Sequence, residues 1–598
     1  MSNKLIWDLE SIFTGGSESV ELAQFIDDLK SDIEDADTRG LPAMLSSESQ
    51  NAWADLIETY YDLASRLRHV AAFVTCLVSQ DVNDTPALQI QAGLEAMSSR
   101  LSSLSTRMTA YAAEQNDEDW DALTALPSLK SIAFSLNEGR DEARNKMNAN
   151  LESLAGELAT DGYHAWHRLY NITVGAKQID FRVNGSERPM TLYQLQNTFD
   201  GHPDRDVRQR AFTAFEEGWQ ELSTVCAEAL NHQAGYRLTL YRHRGWDSIL
   251  QEPLQNNRIT RQTLDAMWDV IARRSDKLCD YFDAKAKLLG LNKLTWYDVG
   301  APIGEQARTF SYDAAADFIV DNFEGFDPEI AKFCRMAIDK RWVEAEDRPA
   351  KRAGGYCTSL PLLGESRIFM TFDGSYGSMS TLAHELGHAY HGWTMRDLPF
   401  GARRYTMSVA ETASTFNQLV VVDASLKEAQ SDAEKLSLLN QKLDEAVSFL
   451  MNIRCRFDFE RAFFDQRVKG HLNVDQLSET MLKAQQTAYQ QGLAEDGYHP
   501  LFWASKLHFY ITRAPFYNFP YTFGYLFSNG VYQQALAEGA GFGKQYISLL
   551  RDTGSMDTET LAKTHLGIDL TQPDFWEAAV DRILADVDTF VTLADKMN

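Results

Sequence analysis

The spacing of apolar residues predicts a chain built mostly of helices. Between residues 17 and 35, Val20, Leu22, Phe25 and Leu29 recur with the spacing that places side chains on one helix face. The same pattern predicts further helices over the segments 50–80, 85–114, 141–160, 204–244, 260–289, 328–342, 408–424, 431–464 and 474–491, and a last helix after residue 573.

Alternation of apolar and polar residues predicts a single hairpin. Ile179, Phe181 and Val183 alternate with polar residues and are followed by an Asn-Gly pair at 184–185. Asn-Gly suits the tight turn between two antiparallel strands. We therefore predict a hairpin over about 179–192.

One more strand is predicted over 367–372, where a short apolar run ends at an Asp-Gly pair. The fold is therefore expected to be predominantly α, with a few short strands. We divide the chain into an N-terminal helical lobe over 1–195, which contains the hairpin, and a larger helical domain over 196–598.

Charge and composition narrow the kinds of partner and compartment. The formal net charge of −28 argues against nucleic acid and against an anionic membrane surface. The six cysteines form no Cys-x-x-Cys pair, which favours free thiols in a reducing compartment. No apolar run approaches the roughly 18 residues of a membrane span, and the N-terminus lacks a signal-peptide pattern. We expect a cytoplasmic protein, either a monomer or a small homo-oligomer.

A His-Glu-x-x-His motif dominates the chemistry of the chain. His384 and His388 are four residues apart on a predicted helical segment, so both imidazoles point to the same side. Two such histidines are a common pair of zinc ligands, and Glu385 between them can act as a general base towards water. The motif therefore predicts metal-assisted hydrolysis.

A catalytic zinc usually has a third protein ligand. The arrangement with a further Gly-x-x-His would require Gly at position 391 and His at position 394, whereas this chain has His391 and Thr394. Glu411, 23 residues after His388 and flanked by small residues, is the better candidate. The alternative is that Glu411 only stabilises a helix N-terminus. His391, seven residues after His384, faces the same side of the helix. It could contact substrate or simply pack within the protein.

A tyrosine-rich segment is the candidate source of an oxyanion partner. Tyr517, Tyr521 and Tyr525 lie close together in sequence, and a phenol can donate to a developing oxyanion. The alternative, an aromatic stripe in the core, is favoured by the sequence alone.

Together these motifs resemble the M3 family of zinc metallopeptidases, in its oligoendopeptidase F branch. The resemblance spans nearly the whole chain and includes the Ala-Glu-x-Ala-Ser-Thr-Phe-Asn setting of Glu411. It implies a zincin-like helical metallopeptidase with a deep substrate channel, one Zn²⁺ per chain and short unfolded peptides as partners. The domain over 196–598 would then be the catalytic one.

The resemblance also implies roles for individual residues. His384, His388 and Glu411 match the zinc ligands, and Glu385 matches the general base. Tyr525 matches the tyrosine that assists the oxyanion. The matching substrate contacts are His508, Tyr517, Tyr521, His391, the Gly354–Gly355 turn and the strand residues Phe369, Met370 and Thr371, which resemble an edge strand that pairs with a peptide.

One departure from the family pattern concerns the residues that orient the histidines. Related members often carry an acidic residue shortly before the motif, whereas this chain has Ser-Tyr-Gly-Ser-Met-Ser over 375–380. The hydrogen-bond partners of the two imidazoles are therefore not assigned from sequence.

The sequence leaves two other functions open. A metallocarboxypeptidase can share this helical architecture, but it would need a cationic group for the peptide's C-terminal carboxylate. A non-catalytic peptide-binding protein would have no need for Glu385. A zinc endopeptidase that hydrolyses internal bonds of short oligopeptides is the preferred prediction.

Overall fold

The computed structural model describes residues 5–183, 185–304 and 308–597 of the 598-residue chain. Within these residues the fold is predominantly α with a few short strands, which confirms the predicted fold class. The helices before the His-Glu-x-x-His motif are α1 (Val20–Arg39), α2 (Gln50–Gln80), α3 (Thr85–Glu114), α4 (Asp117–Thr124), α5 (Ala133–Arg144), α6 (Ala149–Gly162), α7 (His164–Ala176), α8 (Leu192–Gly201), α9 (Arg205–Arg244), α10 (Gln251–Asn256), α11 (Arg261–Arg274), α12 (Leu278–Leu288), α13 (Trp296–Val299), α14 (Tyr312–Glu324) and α15 (Pro328–Asp339).

The motif lies near the middle of a 19-residue helix, α16, and the chain after it is also helical. The helices from the motif onwards are α16 (Tyr376–Thr394), α17 (Met407–Glu428), α18 (Asp432–Val447), α19 (Ile453–Arg467), α20 (Val474–Ala488), α21 (Phe502–Ser505), α22 (Phe519–Glu538), α23 (Phe542–Asp552), α24 (Thr558–Leu566) and α25 (Pro573–Met597).

Three predicted helices are interrupted. The segment 141–160 was predicted as one helix, but Asn148 accepts a hydrogen bond from the backbone of Leu151 (3.1 Å) and so begins a new helix. The segment 260–289 contains a 3₁₀ turn at Ser275–Lys277. The segment 431–464 contains a π-helical turn at Ser448–Asn452, where the hydrogen bonds shift by one residue.

The predicted hairpin is confirmed. Strands β1 (Gln178–Val183) and β2 (Ser186–Thr191) pair antiparallel, with Gln178 opposite Thr191. Gly185 has a φ of 79°, which suits the tight turn. Asn184, the other predicted turn residue, lies outside the described residues.

A second sheet lies next to α16 in the fold. It contains β3 (Val343–Glu344), β4 (Tyr356–Leu360) and β5 (Glu365–Phe369), in the order β3-β5-β4. β3 runs parallel to β5, and β4 runs antiparallel to it. The motif helix α16 packs on both β4 and β5.

The position of β5 corrects the prediction that residues 369–371 form an edge for a peptide. β5 is the central strand, so its backbone groups are already paired with β3 on one side and β4 on the other. Met370, just beyond the strand, donates its N–H to Glu344 O (2.9 Å), and both Phe369 and Met370 are buried. β4 is the outer strand on the side away from β3. Among the described strands it pairs only with β5, so its other edge is unpaired.

The chain divides into two compact units, each assembled from segments distant in sequence. Unit 1 contains Met1–Lys146, Arg308–Ala424 and Gln534–Gly567, and unit 2 contains Met147–Ala307, Ser425–Gln533 and Ile568–Asn598. Each unit is therefore held together by contacts between segments that are distant in sequence, and the spacing of apolar residues along the chain does not predict such contacts. The predicted boundary at residue 195 is not a boundary between these units; as a division of function it remains a prediction.

Trp7, in the core of unit 1, connects the N-terminal segment to strand β5 and helix α2. Its side chain is buried, its ring centroid lies 5.7 Å from that of Phe369 in β5, and its Nε1–H donates to Gln80 Oε1 (2.9 Å). The N-terminal segment is thereby fixed against the strand that supports α16. No described helix combines the length and apolarity that crossing a membrane requires.

We expect Trp7→Ala to destabilise the protein by about 3–5 kcal/mol, because it removes a large buried ring and leaves the Gln80 amide without its partner. Urea unfolding followed by circular dichroism measures this effect. The matched control is Leu88→Ala, at a side chain that is 41% exposed. Equal unfolding midpoints for the two variants would contradict the proposed role of Trp7.

Candidate metal centre

Helices α16 and α17 bring three potential metal ligands together. His384 Nε2 lies 3.3 Å and His388 Nε2 lies 3.6 Å from Glu411 Oε2. The ligand atoms of the three residues all lie within 4.8 Å of one another. A tetrahedral ion with ligand distances of about 2.0–2.1 Å separates its ligand atoms by about 3.3 Å, so this set fits a metal ion.

Close contact between the two helices depends on Gly387, inside the motif. A Cβ atom at this position would lie 2.4 Å from Ala413 O and 2.5 Å from Ser414 Cα of α17. No side chain fits in that space, and Ala413 on the opposite helix is itself small. This contact carries Glu411, one turn before Ser414, to the two histidines.

Two further residues of α17 hold the ligands in place. Gln418 Oε1 lies 3.1 Å from His384 Nδ1 and accepts its hydrogen, so Nε2 is the ring nitrogen that faces Glu411 and the metal position. Ser414 donates its hydroxyl hydrogen to Glu411 Oε2 (2.7 Å). Gln418 is therefore an orienting partner that the sequence analysis did not identify. A signal was available, because residue 418 is two turns after Glu411 and lies on the same helix face.

The electrostatics of the cluster favour the ligand forms of Glu411 and His388. For His384, burial opposes the charged form, but the hydrogen bond and charge of Glu411 outweigh burial and raise its pKa. Burial opposes ionisation of Glu411, but the hydrogen bond from His384 and the two imidazoles hold its pKa at about 2. Burial lowers the pKa of His388 to about 4, against the attraction of Glu411. An ionised carboxylate and a neutral imidazole are the states that bind a metal.

Glu385 lies beside this cluster with one oxygen unpaired. Its side chain is buried, and Oε2 has no hydrogen-bond partner within the described residues. Burial raises the pKa of Glu385 to about 7. The charge of His384 lowers this pKa, and the charge of Glu411 raises it. A buried carboxyl group with a free oxygen and a pKa near neutrality can accept a proton from water and return it.

Gly355 brings the start of β4 next to Glu385. A Cβ atom at Gly355 would lie 3.7 Å from Glu385 Oε1. Both Gly354 and Gly355 are exposed. The two predicted glycine contacts therefore lie directly before β4, and Gly355 is adjacent to the general-base candidate.

His391 is separate from this cluster in its contacts. Its ring is fully buried, stacks on Tyr405 at 4.1 Å, and its Nε2 lies 2.9 Å from Thr553 Oγ1. These contacts favour packing, one of the two alternatives that the sequence left open. The predicted substrate contact of His391 gains no support from its position.

The tyrosine-rich segment belongs to unit 2 and divides into accessible and buried phenols. Tyr521 donates to the hydroxyl of Tyr517 (3.1 Å), and the ring of Tyr517 stacks on His508 at 5.1 Å. These three side chains are half-buried. Tyr525 is 2% exposed and stacks on Phe449, which favours the core-packing alternative; its predicted role towards an oxyanion remains a prediction.

Comparison with protein families identifies two matches. The sequence profile of peptidase family M3 matches residues 199–582. A second profile, described as oligopeptidase F, matches residues 113–177. The two matches together begin in the N-terminal third of the chain and end close to its C-terminus.

Curated relatives align over most of the chain. Group B oligopeptidase PepB of Streptococcus agalactiae is 23% identical over 97% of this chain and 95% of its own length. Oligopeptidase PepF of Bacillus subtilis is 23% identical over 87% of this chain and 78% of its own length. This chain therefore has nearly the full extent of the first of these proteins.

Solved structures share the fold. A putative peptidase from Chlamydophila abortus superposes with a TM-score of 0.84 at 19% identity, and the match covers 99% of both chains. Oligoendopeptidase-F from Enterococcus faecium superposes with a TM-score of 0.68 at 18% identity, covering 96% of this chain and 98% of that one.

We expect Gly387→Ala to abolish stoichiometric metal binding, because a Cβ atom would force α17 and Glu411 away from α16. Metal content per chain, measured by plasma mass spectrometry, should fall well below that of the unmodified protein. Gly377→Ala is the matched control, since it lies in the same helix with its nearest neighbouring atom at 3.6 Å. Full metal content in Gly387→Ala would contradict the close-approach argument.

Loss of the Gln418 amide should weaken metal binding without removing a ligand. For Gln418→Ala we expect a roughly 10- to 100-fold weaker metal affinity, because His384 loses the acceptor that orients its ring. Competition with a fluorescent chelator gives this affinity. Gln418→Glu retains an acceptor and should bind at least as tightly as the unmodified protein; equal weakening in both variants would contradict the orienting role.

Proposed function

Since the chain belongs to peptidase family M3, we propose that it is a zinc-dependent endopeptidase that hydrolyses internal bonds of short, unfolded oligopeptides. The observation that carries this proposal is the cluster of His384, His388 and Glu411 with the unpaired Glu385 oxygen beside it. Two imidazoles and one carboxylate are a usual ligand set for catalytic zinc, and three protein ligands leave a position open.

The chemistry divides between the ion and the protein. Zn²⁺ held by the three ligands would supply Lewis acidity, which makes water a nucleophile at neutral pH and polarises a carbonyl group. Glu385 would accept a proton from the attacking water and donate it to the leaving amine. Its pKa of about 7 allows both transfers near neutral pH.

Peptide binding is proposed at the open edge of β4. An extended substrate adds to a sheet by hydrogen bonds with the backbone of an edge strand. β4 begins at Tyr356, directly after the exposed Gly355 that lies next to Glu385, so a strand paired there starts beside the base. Backbone pairing of this kind requires an unfolded segment and is indifferent to most side chains.

We further propose that His508, Tyr517 and Tyr521 contact the substrate. Their stacked and hydrogen-bonded arrangement keeps polar groups at a partly exposed surface of unit 2. Tyr521 donates its hydrogen to Tyr517, so the Tyr517 hydroxyl keeps its own hydrogen and can donate it to a peptide carbonyl. The relatives named as oligopeptidases support this choice of ligand.

The decisive test is Glu385→Gln. We expect turnover of an end-blocked, internally quenched peptide to fall by about 10²–10⁴-fold, because the base is lost while the ligands remain. Metal content should stay at that of the unmodified protein. Glu428→Gln, at an exposed position of α17, is the control and should keep full activity.

Two results would contradict the proposal. One is unchanged cleavage in Glu385→Gln or after removal of the metal by a chelator. The other is cleavage restricted to peptides with a free C-terminus, one residue at a time, which would indicate a carboxypeptidase. Mass spectrometry of products from blocked and unblocked peptides separates these outcomes.

A further inference from the structure

A cavity lies within unit 2, and its lining residues do not include His384, His388 or Glu411. Its volume is about 330 Å³, and its walls come from helices α8, α9, α13, α18, α19 and α21. Five aromatic side chains line it: Phe199, Phe215, Trp296, Tyr489 and Phe502. A cavity of this size with aromatic walls accommodates a small organic group.

Lys506, Arg456 and the imidazole of His499 also line the cavity, and His499 lies against the carboxylate of Glu216. The first two lie against the same ring: Lys506 Nζ is 5.1 Å and Arg456 Cζ is 5.4 Å from the centroid of Phe502. Within the described part of the chain, Lys506 Nζ has no hydrogen bond or ion pair. Burial and the charge of Arg456 lower the pKa of Lys506 to about 7, against the attraction of Asp200, and a ligand carboxylate beside Lys506 would raise that pKa.

Arg456 is held in place by neutral groups alone. It donates from Nη1 to Asn518 Oδ1 (2.9 Å) and to His508 Nδ1 (3.3 Å), and from Nη2 to Asn452 Oδ1. Its buried Nε–H has no partner among the described residues. The guanidinium is therefore fixed in orientation but lacks a compensating carboxylate.

The acidic groups of the cavity compensate this pair only in part, through the attraction between Asp200 and Lys506. Asp444 is already bound to Lys285, with Nζ 2.9 Å from Oδ1. Asp200 is exposed and accepts one hydrogen bond, from Gln196 Nε2 (3.3 Å). The cavity thus holds Arg456 and Lys506 with the one carboxylate of Asp200, and a ligand carboxylate would keep Lys506 charged beside Arg456.

The π-helical turn at Ser448–Asn452 explains how the wall is shaped. Its last residue, Asn452, binds Arg456 on one side and donates to the hydroxyl of Tyr489 (3.0 Å) on the other. A π-helical turn costs helix stability and is frequent at functional sites. Here it aligns a cation and an aromatic wall of the same cavity.

We propose that this cavity binds the carboxylate of an aromatic amino acid, either free or at the C-terminus of a short peptide. Lys506 and Arg456 would bind the carboxylate, the aromatic walls would cover the side chain, and Asp200 would accept from the ligand's nitrogen. An inorganic anion would leave the aromatic walls uncovered. The choice of ligand rests on the proposed peptidase function, since peptides and their fragments are the carboxylates such an enzyme meets.

Isothermal titration calorimetry on the full-length Glu385→Gln protein tests this site without turnover. The probes are L-phenylalanine, the dipeptide Gly-Phe and L-phenylalaninamide, which lacks the carboxylate. We expect the better of the two carboxylates to bind at least roughly tenfold more tightly than the amide, because a charge-assisted contact is lost. Tighter binding of Gly-Phe would assign the cavity to peptide ends, and tighter binding of phenylalanine to free amino acids.

Variants of Lys506 identify the site. Lys506→Met should weaken carboxylate binding at least roughly tenfold, and Lys506→Arg should restore most of it. Lys469→Met, at an exposed lysine of the same unit, is the matched control. Equal binding of acid and amide, equal affinity in Lys506→Met and the control, or no binding of either carboxylate at roughly 10 mM would each overturn the proposal. Peptide turnover is measured in a separate experiment. Failure of the proposed peptidase function is therefore distinguishable from failure of this binding site.

Discussion

The candidate metal centre depends on the closeness of two helices. At Gly387 the backbone of α17 occupies the space where any other residue would place its Cβ atom. The three ligand residues lie within one to two turns of that contact, so their separation is set by backbone packing rather than by flexible side chains. Ser414 and Gln418 then fix the orientation of one carboxylate and one imidazole. The same short stretch of α17 thus supplies a ligand and the groups that orient two of the ligands.

Burial gives the neighbouring carboxyl groups different properties. Glu411 is hydrogen-bonded and faces two imidazoles, which keeps it ionised, whereas Glu385 is buried with one oxygen unpaired and has a pKa near neutrality. One carboxylate is thus suited to binding a cation and the other to proton transfer. Their sequence positions do not distinguish these roles; the surroundings do.

The sequence predicted local features well and contacts between distant segments poorly. Helix spacing located α2 and α3 to the residue, and the four-residue interval of His384 and His388 placed them on one face. The strand predicted at 367–372 overlaps β5 (Glu365–Phe369), but its central position was not predicted, because pairing with β3 and β4 depends on contacts that residue spacing does not show. Burial of Tyr525 and His391 likewise depends on distant partners. The orienting role of Gln418 follows from the sequence only if Glu411 is a ligand, because Gln418 then lies on the ligand-bearing face of the same helix.

The packing of His391 has a consequence for the order in which the protein is made. The far end of α16 is held by Thr553 and Leu550, more than 150 residues later in the chain. A ribosome has therefore to synthesise unit 1's last segment, Gln534–Gly567, before α16 gains these contacts. Until then the growing chain carries the His-Glu-x-x-His helix without these contacts at its far end.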